Sequence, residues 1–320
     1  MRSQVEVMGK ACFCYTTNNN YMGATVLSAL QARRNVSRER ADVLILLLGE
    51  DDAEAQRFAA VCARHDILFR RIMPGEIDGV PVHCARHFLD RFLEPHYTEI
   101  VHVDGDTQIA GSLDPLLDIP LPLGRVLAVP DPMAVMIHHP SRAWQERRAY
   151  FRSIGIPEGR LDRYFNSGVF RVNRADAGAM GRECVRLFRQ HGAAFRFSEQ
   201  DGFNIAFGDV VDLISFRWNF PVFFLNGGYE ATIQPRLIHF MSNPRPWQGA
   251  FVPWGRPAHR VYGELAVAHP ELADLLKPLR GLRAVKYRAQ QRTKRVIESR
   301  TWTRPPVRER VARFEREAAV

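Results

Sequence analysis

The run at residues 43–48, VLILLL, constrains this chain more than any other stretch. Six apolar residues without a polar interruption do not suit a strand with one wet face; they suit a strand covered on both sides. Such strands belong to sheets with helices packed on each face, and the flanking sequence supplies the helices. Residues 11–16 are apolar and β-prone, and Asn18-Asn19-Asn20 offers turn and cap residues before a helix predicted over 21–33. Gly49-Glu50-Asp51-Asp52 closes the apolar strand and opens a helix with Ala55, Phe58, Ala59 and Cys62 on one face. Residues 67–72, 100–103 and 126–129 read as further strands, and 85–93 as a helix. Strand and helix alternating at this spacing predict an α/β fold: a central, mostly parallel twisted sheet flanked by helices, with right-handed crossovers. Ligands of such sheets bind at the carboxyl ends of the strands.

Further along, residues 141–163 are polar and arginine-rich, an inserted helix-loop excursion. Met180, Cys184, Leu187 and Phe188 form another amphipathic helix face, 237–240 is a late strand, and Pro244, Pro246 and Pro253 mark irregular structure. Hydrophobic residues make up 46% of the 320, which excludes wholesale disorder. No stretch approaches the ~20 apolar residues of a membrane span. The start, MRSQVEVMGK, has no apolar h-region, so no secretory leader is expected. Cysteines at 12, 14, 62, 84 and 184 are odd in number, which argues against a disulfide framework. Cys12 and Cys14 read as small core residues on one strand face, since no second ligand pair accompanies them.

The sharpest chemical feature is EIVHVDGDTQIAGSL, where an apolar strand runs into Asp104-Gly105-Asp106. Two carboxylates separated by one glycine at a strand end can converge on a hard divalent cation such as Mn²⁺ or Mg²⁺. Turn chemistry produces the same pattern, so the triplet is weak when taken alone. Downstream lie YFNSGVFRVN (164–173), SEQDGFNIAF (198–207) and HFMSNPRPW (239–247). These four segments, in this order, resemble glycosyltransferase family 8, which includes bacterial lipopolysaccharide galactosyl- and glucosyltransferases and the glycogenins. The family pattern is D-x-D, F-N-[SA]-G-V, D-Q-D-x-x-N and H-x-x-G-x-x-K-P-W, and the resemblance covers residues 11 to 247 or so.

The resemblance implies a single nucleotide-diphospho-sugar transferase domain of GT-A type over residues 1–270, followed by a helical extension. It implies a Mn²⁺-dependent (or Mg²⁺-dependent), retaining hexosyltransferase that uses a nucleotide-sugar donor, UDP-hexose, and a glycan or lipid-linked saccharide acceptor. Asp104 and Asp106, with Gly105 between them, match the metal-binding triplet, and His239 matches the histidine that completes the metal site. Thr16, Asn18, Asn20 and Tyr21 match the nucleotide loop, with Tyr21 stacking on the base and Asn18 standing where relatives often carry Asp. Arg86 matches a helix arginine that reaches the donor; its alternative is a solvated helix face beside Asp90 and Arg91. Asn166 and Ser167 match donor-sugar contacts, as does Glu199 in place of an Asp. Gln200 matches the residue near the anomeric carbon, opposite the leaving group, and Asp201 is the one clear candidate for a carboxylate nucleophile. Ser198 and Asp201 also form a capping-box pattern. Arg245 replaces a diphosphate-binding lysine and Ser242 a glycine. Trp247 is expected to pack rather than to touch the donor. Asp131 falls at the acceptor side, and His138 and His139 in the adjoining insertion read either as acceptor contacts or as surface loop.

The net charge of +9 is concentrated at one end. Residues 1–270 hold 30 Lys+Arg against 29 Asp+Glu, and residues 271–320 hold 14 against 6. In that tail Leu279, Leu282, Val285 and Ala289, then Val307, Val311, Phe314 and Ala318, recur at helical spacing among arginines. A basic amphipathic helix suits an anionic membrane surface, so 271–320 predicts a peripheral enzyme on the inner face of the cell membrane. Packing of the pair on the body is the other reading. No recognition module accompanies the charge, and no nucleic-acid partner is expected. Glu199, Ser242 and Arg245 leave one rival: a catalytically decayed member acting as a membrane-peripheral or nucleic-acid binding protein.

Overall fold

The computed structural model describes residues 9–49, 52–276 and 278–319. The start MRSQVEVM and Glu50-Asp51, read from the sequence as closing the strand, lie outside the described residues. The strands are β1 (Lys10–Asn18), β2 (Ala41–Leu48), β3 (Leu68–Ile72), β4 (Tyr97–Val103), β5 (Thr107–Ile109), β6 (Val126–Pro130), β7 (Phe165–Asn173), β8 (Val211–Leu213), β9 (Phe220–Pro221) and β10 (Leu237–His239). The helices are α1 (Met22–Asn35), α2 (Asp52–Ala63), α3 (Leu89–Phe92), α4 (Asp114–Asp118), α5 (Pro132–Met136), α6 (Arg142–Ser153), α7 (Arg174–His191), α8 (Glu199–Phe207), α9 (Glu230–Ile233), α10 (Gly255–Ala268), α11 (Gly281–Trp302) and α12 (Pro305–Glu317).

Seven strands form the central sheet in the order β3-β2-β1-β4-β7-β6-β8. All neighbours run parallel except β7, which is antiparallel to both β4 and β6. The strand alternation divides the apolar runs between two cores. Phe13, Tyr15, Val43, Ile45 and Leu47 join Met22, Val26 and Phe58 on one face. Cys12, Cys14, Leu44 and Leu46 join Ala85, Phe88 and Cys184 on the other. This is why 43–48 carries no polar residue. All five cysteines are free and buried.

One element differs from expectation, and another had none. Residues 85–93 are not one helix: a 3₁₀ stretch, Val82–Phe88, precedes the single turn α3. The segment 165–173 is a full strand, and its direction has a simple cause. The chain leaves β6 at the carboxyl edge of the sheet, makes the arginine-rich excursion there, and re-enters from the same edge. The excursion has its own small core of Tyr150, Phe151, Leu161 and Tyr164.

A second sheet, β5-β10-β9, sits at that edge, with His239 paired across from Thr107. The carboxyl-terminal helices pack on the body. Val307 and Val311 of α12 are buried, and Phe314 lies edge-on to Phe216 with ring centroids 5.4 Å apart. Glu315 accepts hydrogen bonds from Ser215 Oγ (2.6 Å) and the Phe216 amide (2.9 Å). Each such buried side chain contributes roughly 1.5–3 kcal/mol, so α12 spends its apolar face on the protein. On α11 the buried positions are Ala284, Gln291 and Trp302. Leu282 and Val285 face outward, at 88% and 58% exposure. Trp302, stacked on Phe223 and accepting the Tyr229 hydroxyl at its carbonyl (2.7 Å), sets the rotation of the helix. Among the described residues, no helix is long and apolar enough to cross a membrane.

Candidate active site

Asp104-Gly105-Asp106 is the turn from β4 into β5, and the pairing of β5 with β10 brings His239 against it. His239 Nε2 lies 3.1 Å from Asp106 Oδ1 and 3.7 Å from Asp104 Oδ2. Ligand atoms of the three residues all fall within 4.8 Å of one another, so they could hold one metal ion. Two glycines make this approach possible. A Cβ on Gly105 would meet Thr25 Oγ1 of α1 at 2.1 Å. A Cβ on Gly168 would meet His239 Cε1 at 2.5 Å and Asp104 Oδ2 at 2.8 Å. The Asp104 amide donates to the Gly168 carbonyl (2.8 Å), which locks the triplet to β7.

The donor set fits a divalent cation on its own chemistry: two carboxylates and one imidazole whose other nitrogen is already engaged. His239 Nδ1 is 2.9 Å from Asn219 Oδ1, and Asn219 Nδ2 donates to Asn166 Oδ1 (2.9 Å). With the amide nitrogen committed to Asn166, its oxygen accepts from Nδ1–H, which leaves Nε2 facing the carboxylates. The charged groups of the cluster shift one another. Burial raises the Asp104 carboxyl, but Arg86, His102 and His239 outweigh it and hold it well below the usual range. Burial likewise opposes ionisation of Asp106, and His239 and Arg245 reverse the effect. His239 is raised: burial lowers it, but Asp106 and Asp104 outweigh that. Burial drives His102, at hydrogen-bond distance from Asp104 Oδ1 (3.2 Å), down to about 4.

A cavity of about 240 Å³ opens beside the triplet, lined by Thr16, Asn18, Tyr21, Arg86, Asp104 and Arg245 among others. Arg86 is buried, not solvated. Its Nη2 pairs with Asp104 (2.8 Å), its Nη1 donates to the Ser167 carbonyl (2.7 Å), and its Nε donates to the His83 carbonyl (3.0 Å). Arg245 pairs with Asp106 and lies over the Tyr21 ring, 5.8 Å from its centroid. Arg245 Nε and Thr16 Oγ1 are buried without a hydrogen-bond partner, so the cavity wall keeps unspent polar atoms. Asn18 accepts the Asn20 amide (3.1 Å) as a turn residue, and Asn20 is exposed outside the cavity lining. Trp247 packs on Tyr21 and Tyr262.

A second cavity, about 550 Å³, is lined by Asn166, Ser167, Glu199 and Gln200 among others, and Arg86 of the first cavity reaches its Ser167. The pairing of β7 with β6 jumps from Phe170–Ala128 to Asn166–Val129, and this bulge aims Asn166 and Ser167 toward α8. Ser167 Oγ donates to Glu199 (2.9 Å). Gln200 Oε1 accepts from Asn166 Nδ2 (3.0 Å) and the Ser167 amide (3.1 Å), while its Nε2 donates to Asp131 (3.3 Å) and Tyr164 Oη (3.2 Å). Burial raises the Asp131 carboxyl, against the Met133 amide and the Asn166 and Gln200 amides that favour its charge. Ser242 lines this cavity rather than the first. Asp201 lines neither. It is fully buried and accepts from Tyr150 Oη (2.5 Å), Tyr164 Oη (2.7 Å) and the Phe197 amide (2.9 Å).

The capping box expected from Ser198 and Asp201 does not form. Ser198 has φ +54°, which turns its hydroxyl to His83 Nε2 at 2.7 Å. His138 is exposed and His139 meets Arg304 (2.7 Å); the insertion instead lines the larger cavity with Met133 and Trp144. Sequence reasoning missed Asn219, His83, Tyr150 and Tyr164. Tyr164 opens the YFNSGVFRVN segment without being singled out, the other three sit in no spaced motif, and the fold brings all four to the site.

Residues 80–250, 171 of the 320, match Glycosyl transferase family 8. Among solved structures, the galactosyltransferase LgtC in complex with donor and acceptor sugar analogues superposes with a TM-score of 0.61 at 20% identity, over 83% of this chain and 99% of LgtC. The bifunctional glycosyltransferase WbbM superposes at 0.62 and 18% identity, over 86% of this chain and 52% of WbbM. The chain thus spans about half the length of WbbM. GlyE of Streptococcus pneumoniae TIGR4 superposes at 0.56 and 17% identity, over 83% of this chain and 64% of GlyE. No curated protein matches the chain. The fold is of the GT-A type seen in LgtC, and the chain belongs to glycosyl transferase family 8.

Proposed function

We propose that this protein is a retaining hexosyltransferase that moves a hexose from a nucleotide-sugar, UDP-hexose, to a hydroxyl of a glycan or lipid-linked saccharide with Mn²⁺ as its cation. One observation carries this reading: Asp104, Asp106 and His239 converge at the smaller cavity, flanked by Arg86 and Arg245, and that same Arg86 is bonded to Ser167 of the larger cavity. A divalent ion bound there would neutralise charge on a diphosphate leaving group. In this reading Arg245 turns its free Nε to a phosphate oxygen, and Tyr21 offers its exposed ring to the base. Asn166, Ser167 and Glu199 orient the sugar hydroxyls between the two cavities.

The sugar's bond from C1 to the diphosphate oxygen breaks, the bond from C1 to the acceptor oxygen forms, and the hydroxyl proton passes to the departing diphosphate. Gln200 is an amide held by four partners, and Asp201 has both oxygens occupied. Their state favours attack on the face of departure over a covalent intermediate on Asp201. Asp131, at the wall of the larger cavity, orients the acceptor hydroxyl. Mn²⁺-dependent hydrolysis of a panel of nucleotide sugars tests the proposal. If none is bound or cleaved, and Asp106→Ala changes nothing, the transferase reading fails.

The tail reading narrows to one helix. With the α12 face spent on the body, α11 presents Leu282, Val285, Val296 and Ile297, each at least half exposed, among Arg283, Lys286, Arg292, Arg295 and Arg300. An apolar stripe set in arginines supports attachment of α11 to an anionic membrane face. Sedimentation with anionic vesicles should fall when Leu282, Val285, Val296 and Ile297 are all replaced by serine. Equal sedimentation of the two proteins would end this reading.

A further inference from the structure

The larger cavity is walled in part by the carboxyl-terminal extension. Glu298 and Trp302 of α11 line it opposite Asp131 and Gln200, together with Trp144 and Phe197. Trp302 is stacked on Phe223 at 5.5 Å and 28° and braced by Phe224 at 4.7 Å, so its ring is fixed in place. Asn226 Nδ2 donates to Glu298 Oε2 (2.7 Å), which orients the carboxylate and leaves Oε1 for a donor from outside. Burial, ahead of the opposing Asn226 hydrogen bond and Lys294, raises this carboxyl.

The charge of the lining is one-sided. Asp131, Glu199 and Glu298 contribute carboxyl groups, and no lysine, arginine or histidine lines the cavity among the described residues. Arg147 lies over the Phe197 ring at 4.5 Å without being part of the lining. Glu199 faces Arg86 at 3.6 Å, so a phosphate or carboxylate placed here would still meet the carboxyl groups of Asp131 and Glu298. Aromatic faces combined with an oriented carboxylate suit a different ligand. The C–H face of a pyranose packs on an indole or phenyl ring, and its hydroxyls donate to a carboxylate oxygen. A volume of about 550 Å³ also exceeds what one hexose fills.

We propose that α11, through Glu298 and Trp302, completes an acceptor subsite for a neutral saccharide, one without phosphate or carboxylate on the ring that enters. The inference rests on the transferase reading and names its acceptor class. It also gives the extension a role in substrate choice that does not require a membrane.

Saturation-transfer NMR on the full chain with Mg²⁺ and UDP tests it, using hexyl β-glucoside, hexyl β-galactoside, hexyl α-mannoside and hexyl β-glucuronide as probes. At least one neutral glycoside should receive saturation on its ring protons and bind at least about fivefold tighter than the glucuronide. Glu298→Gln keeps the shape and should weaken the neutral glycoside about tenfold, the loss of a hydrogen bond to a charged group. Trp302→Leu should weaken it further, and Trp302→Phe should restore part of the loss. Preference for the glucuronide, or wild-type binding of the neutral probes by both Glu298→Gln and Trp302→Leu, overturns the inference. So does saturation of UDP with none of the glycosides, which leaves the transferase reading intact. Absence of UDP saturation in the wild-type protein overturns the transferase reading itself.

Discussion

The two cavities, joined by the hydrogen bond from Arg86 to Ser167, are built on different principles. The smaller is electrostatic: Asp104, Asp106, His239, Arg86 and Arg245 form an ionic cluster in which each charge is answered by another. The larger has no cation in its lining; amides, carboxyl groups and aromatic faces shape it. The contrast supports the proposed function, in which one site takes two unlike partners. A charged donor needs opposite charge and a cation position, whereas a neutral acceptor needs shape and directed hydrogen bonds.

If this division is right, substitutions on the two sides should fail differently. The largest effect belongs to the ionic side. Asp104→Asn and Asp106→Asn should each lower kcat/KM for metal-dependent donor cleavage by on the order of 10³-fold, and a loss of only a few fold would break the division. Next comes the support behind His239. Asn219→Ala removes the acceptor that fixes the ring and should weaken divalent metal binding by about 10- to 100-fold, with a smaller change in kcat at saturating metal. Unchanged metal affinity by titration calorimetry would show that Asn219 does not orient the ligand. The smallest effect is expected at the junction of α6, α8 and β7. Tyr164→Phe leaves buried Asp201 short of one donor and should cost about 1–3 kcal/mol in urea unfolding. A change within error would mean that Asp201 is not held by that hydroxyl.

The same contrast explains what could be read from the chain beforehand. The ionic side is carried by short segments at strand ends, DGD at 104–106 and the histidine at 239, whose residue types already imply their chemistry. The sheet was legible for a related reason, because strict alternation in β1 and β2 divides their side chains between two cores. The direction of β7 was not, since it depends on where a long excursion returns. Asp201 drew attention as a carboxylate in a motif, yet Tyr150 and Tyr164, from the excursion, occupy it. Glu298 and Trp302 reach the larger cavity from more than 90 residues beyond Gln200, and no local pattern announces a contact of that kind. On α11 the spacing of Leu282 and Val285 left open whether that face meets a membrane or the body; the anchoring of Trp302 decides which face is buried.

The central claim is that Asp104, Asp106 and His239 form a cation site that in turn holds a nucleoside diphosphate. Calorimetric titration of UDP into the full chain, with and without Mn²⁺, tests it most directly. Binding that appears only with Mn²⁺ in the wild-type protein, and is lost in Asp106→Asn even with Mn²⁺, is the expected result. UDP binding of equal strength without the metal, or undiminished in Asp106→Asn, would contradict it.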